Sequence, residues 1–105
     1  DDVHRTELAG VLSQHGLEMF SLQDRTQIHR AWYGLDAWPD FASALGRLKS
    51  KFPVISFTML PVAMVLAVSR RNGFEWDAVI SCEMIGAYKP QPQAYEQTAR
   101  WLGLA

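Results

Sequence analysis

Cysteine is almost absent from this sequence: Cys82 is the only one in 105 residues. One thiol cannot form an internal disulfide framework, and the three histidines have no companions at the spacing of a zinc site. The sequence therefore indicates neither a metal nor another cofactor, and it favours a reducing compartment, the cytoplasm. Cys82 itself is interpreted as a small buried hydrophobic residue.

A dominant charge and a long apolar run are also missing. Ten Lys and Arg against eleven Asp and Glu give a net charge of −1, and no basic block is present, which disfavours nucleic acid as a partner. The longest apolar run, residues 62–68, is far shorter than the roughly 20 residues of a membrane span. What is abundant is apolar sequence, 49% of the chain, with five Phe, four Trp and three Tyr. This is enough for the core of one domain or part of one.

The first third of the chain has a helical pattern. Apolar residues at helical spacing predict a helix over residues 3–15, which Gly16 would end. Ser21 followed by Asp24 resembles a capping box and predicts a second helix that runs to about Tyr33. Two histidines of this segment are expected at helix-surface or helix-end positions: His15 and His29.

The rest of the chain alternates between helix and strand. A helix is predicted after Asp40, whose acidic side chain would stand at its start. Buried strands are predicted at residues 54–58 and 78–82, with an almost wholly apolar helix over residues 62–68 between them and a last helix over residues 93–102. This order favours an α/β fold with a right-handed parallel β-α-β unit in a three-layer sandwich.

The segment from Gly86 to Tyr95 holds the clearest candidate site. Two prolines flank Gln91 just before the last helix, where a missing N–H costs little. Lys89 is thereby predicted at the mouth of that helix, whose N–H groups and dipole already favour negative charge, with Tyr95 one turn inside. We interpret the pair as a site for a small anion; the alternative is a solvated loop lysine and a core tyrosine.

In this order, the segments resemble the haloacid dehalogenase (HAD) superfamily of hydrolases, in particular the type II 2-haloacid dehalogenases with a helical cap. The run from Tyr88-Lys89-Pro90 to Tyr95 matches the lysine motif of that family, including its tyrosine six residues after the lysine. Four further stretches are similar to the cap-to-core junction, the helix after it, the second core strand and the third core strand: residues 31–40, 44–48, 54–58 and 76–81.

The resemblance implies a helix-rich, incomplete HAD-like (Rossmann-like) α/β fold in two parts. Residues 1–36 would be a helical cap remnant, and residues 37–105 a partial core built on the parallel β-α-β unit. In the sheet of the family, the first strand lies against the second, so its absence would leave the edge of residues 54–58 unpaired. We therefore expect a homodimer or larger assembly through this sheet edge or the cap helices.

The resemblance also implies a chemistry. The family uses an aspartate nucleophile that displaces halide or a phosphoryl group, and water then hydrolyses the covalent intermediate. By resemblance, Thr58 would hydrogen-bond the nucleophile or the substrate carboxylate, Lys89 would hold these negative charges together, and Tyr95 would shape and polarise the pocket. The dehalogenase branch needs no metal, whereas its phosphatase relatives bind magnesium through acidic residues.

Three features of the family are missing from the sequence. The first motif of the family, an aspartate at the end of a hydrophobic strand near the start of the chain, is absent, because Asp1, Asp2 and Asp24 all lie beside helical sequence. The acidic fourth motif would lie beyond residue 105, and Met59 stands where an asparagine usually follows the motif hydroxyl. We therefore expect a truncated HAD-like hydrolase chain that is inactive by itself. The alternative is a non-catalytic, homo-oligomeric binding or assembly module derived from the same fold.

Overall fold

The computed structural model describes residues 2–104, in which helices and one small sheet alternate along the chain. The helices are α1 (Asp2–Gln14), α2 (Leu22–Ala31), α3 (Phe41–Lys49), α4 (Val62–Asn72), α5 (Cys82–Ile85) and α6 (Pro92–Trp101), and a short 3-10 helix covers Trp32–Gly34. The strands are β1 (Ile55–Thr58) and β2 (Ala78–Ser81). The chain divides into two compact units, Asp1–Leu35 and Asp36–Ala105. That the first is a cap and the second a core stays a prediction.

The first unit is a pair of helices whose ends follow the sequence pattern. Gly16, in the left-handed region at φ +66°, follows α1. The predicted capping box is present at the start of α2: the Asp24 N–H donates to Ser21 Oγ at 3.1 Å, and the Ser21 N–H donates to the Asp24 carboxylate at 2.9 Å. α2 itself ends at Ala31 because the chain tightens there into the 3-10 helix.

Little side-chain surface is buried in this unit. Among its described residues, Leu12 and His29 are the buried ones. The expected positions are confirmed for both histidines: His15 is exposed just beyond the end of α1, and His29 lies in the last turn of α2, where its side chain is only 3% exposed.

The second unit contains the predicted parallel β-α-β arrangement. β1 and β2 pair in parallel, with Ile55 opposite Ala78 and Thr58 opposite Ser81, and α4 connects them. α4 ends at Gly73, which adopts the left-handed conformation (φ +71°) that glycine reaches without a Cβ penalty. The fold class predicted from the sequence is thus confirmed as a helix-rich α/β arrangement with a two-stranded parallel sheet.

The end of the second strand differs from the prediction. Cys82 was assigned to the strand, but it is the first residue of α5. Ser81 ends the strand and caps the helix, since its Oγ accepts a hydrogen bond from the Glu83 N–H at 3.2 Å and donates one to the Leu60 carbonyl at 2.6 Å. Cys82 is fully buried, as predicted.

α6 packs through its small residues. Ala94 and Thr98, one turn apart, are its buried positions, and Ala94 lies in a buried cluster with Cys82 and Ala87. Tyr95 is 49% exposed, so the alternative in which it is a core tyrosine is wrong. None of the helices between residues 2 and 104 combines the length and apolar character that crossing a membrane requires.

Candidate active site

Lys89 reaches from the loop before α6 back to the end of β1. Its Nζ donates a hydrogen bond to the Phe57 main-chain carbonyl at 2.9 Å and lies 4.6 Å from the centre of the Phe57 ring. Within residues 2–104, the half-buried Lys89 forms no ion pair with a carboxylate. An ammonium group has three donors, so this one holds a positive charge and unused hydrogen-bonding capacity at the end of the strand.

Tyr95 lies on the other side of the same phenylalanine. Its ring meets the Phe57 ring edge-on, with the centroids 5.5 Å apart and the planes at 85°. Edge-to-face contact is a favoured arrangement for aromatic rings, and it fixes a half-exposed tyrosine beside the strand end. Phe57 therefore joins the two residues of the lysine motif to β1.

Thr58 follows Phe57 and ends the strand. Its Oγ1 accepts a hydrogen bond from the Leu60 N–H at 2.9 Å, and the Leu60 carbonyl in turn accepts from Ser81 Oγ. The hydroxyl thus shapes the turn from β1 to α4, which is the ordinary local role of such a residue. An accepting hydroxyl keeps its own proton, so Thr58 can still donate to a ligand.

The candidate residues meet at the carboxyl end of a parallel sheet, the edge at which open α/β sheets bind ligands. The structure brings Lys89 and Tyr95 together around Phe57, and Thr58 is the next residue of β1. Their catalytic roles stay predictions. Neither Phe57 nor Ser81 was predicted as a site residue. The signal for Phe57 is an aromatic residue directly before Thr58, and the signal for Ser81 is a serine two residues before an acidic residue, as at a helix start.

Among residues 2–104, no aspartate directly follows either strand, and the nearby Glu83 is engaged in a structural hydrogen bond. Met59 comes after β1, and Cys82 comes after β2. Glu83 accepts a hydrogen bond from the Val62 N–H at 3.3 Å. Asp2 lies in α1 and Asp24 caps α2, while Asp1 lies outside the described residues. Within residues 2–104, no cluster of three or more His, Cys, Asp or Glu side chains could hold a metal ion.

The chain has a haloacid dehalogenase-like fold, as the lysine motif predicted. The features that indicate this class of protein are the parallel β-α-β unit and the lysine at the carboxyl end of its strands. The chain superimposes on the L-2-haloacid dehalogenase PA0810 with a TM-score of 0.86 and 29% identity over 98% of this chain. The defluorinating L-2-haloacid dehalogenase Rha0230 gives 0.83 and 31% over 97%. The L-2-haloacid dehalogenase of Xanthobacter autotrophicus with covalently bound chloropropionic acid gives 0.78 and 28% over 99%.

The chain spans less than half the length of these solved proteins: 45% of PA0810, and 42% of Rha0230 and of the Xanthobacter enzyme. No protein-family model and no curated protein matches the sequence.

Proposed function

We propose that this chain supplies the part of a 2-haloacid dehalogenase-type active site that contains the lysine, namely Lys89 with Thr58 and Tyr95. The observation that carries the proposal is the 2.9 Å hydrogen bond from Lys89 Nζ to the Phe57 carbonyl, because it fixes a cation at the carboxyl edge of the sheet. In a fold that resembles L-2-haloacid dehalogenases, that edge is where substrate would bind.

In this proposal each of the three site residues has a distinct task. Lys89 neutralises the carboxylate of the substrate and that of the attacking aspartate, so that the two anions can lie close together. Thr58 donates its hydroxyl proton to one of these carboxylates. Tyr95 forms a wall of the pocket through its contact with Phe57. In this proposal the substrate is a small carboxylate, and the reaction needs no metal.

The reaction that this site serves is a substitution at carbon. A carboxylate oxygen attacks the halogen-bearing carbon, the carbon–halogen bond breaks, and halide leaves with the bonding electrons; water then hydrolyses the ester. The solved Xanthobacter enzyme with covalently bound chloropropionic acid supports the choice of 2-halo acids as the substrate class. Since neither β1 nor β2 is followed by an aspartate, the attacking carboxylate would come from another segment, and the 105-residue chain alone would be inactive.

The test separates binding from turnover. We expect 2-chloropropionate to bind to the 105-residue chain, and replacement of the cation in Lys89→Met to weaken this binding by about tenfold or more. Halide release should stay at the level without protein. Binding would be followed by NMR shifts of the Phe57, Thr58 and Tyr95 resonances, and chloride by ion-selective electrode.

Lys51→Met is the matched control because Lys51 is an exposed lysine of the same unit, beyond the end of α3. It should leave binding unchanged. Equal binding by the native chain and Lys89→Met would contradict the role of Lys89, and chloride release that Lys89→Met abolishes would show that the chain is active by itself.

A second candidate function, a homo-oligomeric assembly module, is favoured by the sheet. Within residues 2–104, β1 pairs with β2 alone, and all four residues of β1 are only half-buried. A two-stranded sheet is marginal by itself, and an unpaired edge is a template for another strand. We propose a second copy of this chain as the occupant of this edge.

A further inference from the structure

A second positively charged site lies within the first unit. Arg5 of α1 and Arg30 of α2 line a pocket of about 420 Å³ together with His29 and Tyr33. This volume lies in the range of small-molecule sites, and among residues 2–104 no acidic residue lines the pocket.

The two arginines bring uncompensated charge to this pocket. Both are exposed, and within residues 2–104 neither forms an ion pair with a carboxylate. Arg25, on the same helix as Arg30, behaves differently: its guanidinium donates to the main-chain carbonyls of Phe20 and Glu18, at 3.1 and 3.3 Å. The guanidinium groups at the pocket therefore have donors available to a ligand.

The other two lining residues, His29 and Tyr33, are aromatic, and we refer to them as the pocket floor. His29 is buried, and its ring lies 6.1 Å from that of Tyr33. Burial lowers the pKa of His29, and the nearby charges of Arg5 and His4 lower it further. The lowered pKa favours the neutral imidazole at neutral pH, and the described lining residues carry the charges of two guanidinium groups and no negative charge.

We propose that this pocket binds a doubly charged oxyanion, the phosphate group of a small molecule. Two guanidinium forks match the oxygen geometry of phosphate, and a dianion neutralises both charges where a single carboxylate would leave one unpaired. The proposal concerns α1 and α2 alone and does not depend on the function proposed for Lys89.

Titration with inorganic phosphate, followed by NMR of the arginine Nε–Hε and histidine ring resonances, tests the site. We expect saturable shifts confined to Arg5, Arg30 and the pocket floor, and a rise in the pKa of His29 when phosphate is bound. Arg5→Gln and Arg30→Gln should each weaken binding by about tenfold or more, while Arg30→Lys, which keeps the charge without the fork, should weaken it less.

Two controls make the result specific. Arg100→Gln removes the same charge from an exposed position of α6 and should leave the phosphate shifts unchanged. Acetate at the same ionic strength should bind at least about tenfold more weakly, since it carries one charge. Shifts that fail to saturate, that persist in the Arg5→Gln/Arg30→Gln double variant, or that acetate reproduces at equal affinity would overturn the proposal.

Discussion

Lys89 is held by two contacts of different kinds, a charged hydrogen bond to the Phe57 carbonyl and a position over the Phe57 ring. Both are lost in Lys89→Met, which keeps the length of the side chain. We expect this variant to lower the free energy of unfolding by about 1–2 kcal/mol, because a charged hydrogen bond and a partly exposed cation–π contact each contribute on the order of 1 kcal/mol. Urea denaturation followed by circular dichroism measures the change.

The exposed Lys51 again provides the comparison, since within residues 2–104 its side chain forms no hydrogen bond or ion pair, and its main-chain N–H bond to the Leu48 carbonyl is unaffected by Lys51→Met. Its unfolding midpoint should stay close to that of the native chain. Equal midpoints for the two variants would mean that the Lys89 contacts contribute nothing to stability and that the lysine is positioned by its loop alone.

His29 makes the stability of the first unit depend on pH. Burial and the charges of Arg5 and His4 lower its pKa in the folded chain below the ordinary value of 6.5. As the pH falls below 6.5, the unfolded chain therefore takes up a proton that the folded chain takes up only at lower pH, so stability falls with decreasing pH. Well above 6.5 both states are neutral at this residue and the effect vanishes.

NMR titration of the His29 ring, in buffer and in concentrated urea, measures the two pKa values directly. We expect the value in buffer to be the lower one. In parallel, the protection factors of the α2 amides, which correct for the intrinsic pH dependence of exchange, should fall between pH 7.5 and 5.5 by a larger factor in the native chain than in His29→Gln. A folded-state pKa at or above that in urea would contradict the prediction.

At the scale of elements, two glycines with room for a Cβ atom should have opposite effects on stability when they are replaced by alanine. A Cβ would touch nothing within 4 Å at Gly46, inside α3, or at Gly73, which ends α4 at φ +71°. Gly46→Ala should therefore stabilise the chain by about 0.5–1 kcal/mol, whereas Gly73→Ala should destabilise it by about 1–2 kcal/mol because of left-handed strain. Thermal and urea unfolding of the two variants measure these changes.

The pair is its own control, because the chemical change is the same at both positions. A loss of stability in Gly46→Ala, or none in Gly73→Ala, would show that packing rather than backbone conformation governs these helices.

Local signals in the sequence predicted most of the elements. The capping box at Ser21, the glycine after α1 and the apolar run of β1 each act through neighbouring residues, so the prediction needed no knowledge of tertiary contacts. Asp40 likewise stands at the start of α3, although its side chain forms no capping hydrogen bond.

The sequence pattern was misleading where contacts between distant residues determine the local structure. Cys82 follows a β-rich run, yet Ser81 turns the chain into α5 by bonding both Glu83 and the distant Leu60 carbonyl. Trp38 is a large aromatic residue, a type that is usually well buried, yet it is 83% exposed. Aromatic size alone does not determine which face of an element is covered.

At the scale of the whole molecule, the candidate site was partly predictable. Lys89 and Thr58 could be placed at one edge because parallel strands end on the same side. The hydrogen bond that joins Lys89 to β1 could not be predicted. Its acceptor is a main-chain carbonyl 32 positions away, and every residue has such a carbonyl. The side-chain pattern therefore predicted the end of the sheet at which Lys89 and Thr58 lie, but only the three-dimensional structure shows that Phe57 is the partner of Lys89.

The unpaired edge of β1 leads to a prediction about assembly. In a sheet of two strands, each strand has one unpaired side, and pairing with a second copy would satisfy the main-chain groups there. We expect light scattering to show a dimer at micromolar concentration, and amide exchange in residues 55–58 to slow as concentration rises. Protection confined to α2 would instead place the contact on the first unit, and a monomer at every concentration would contradict assembly altogether, because a marginal sheet would then be stable without a partner strand.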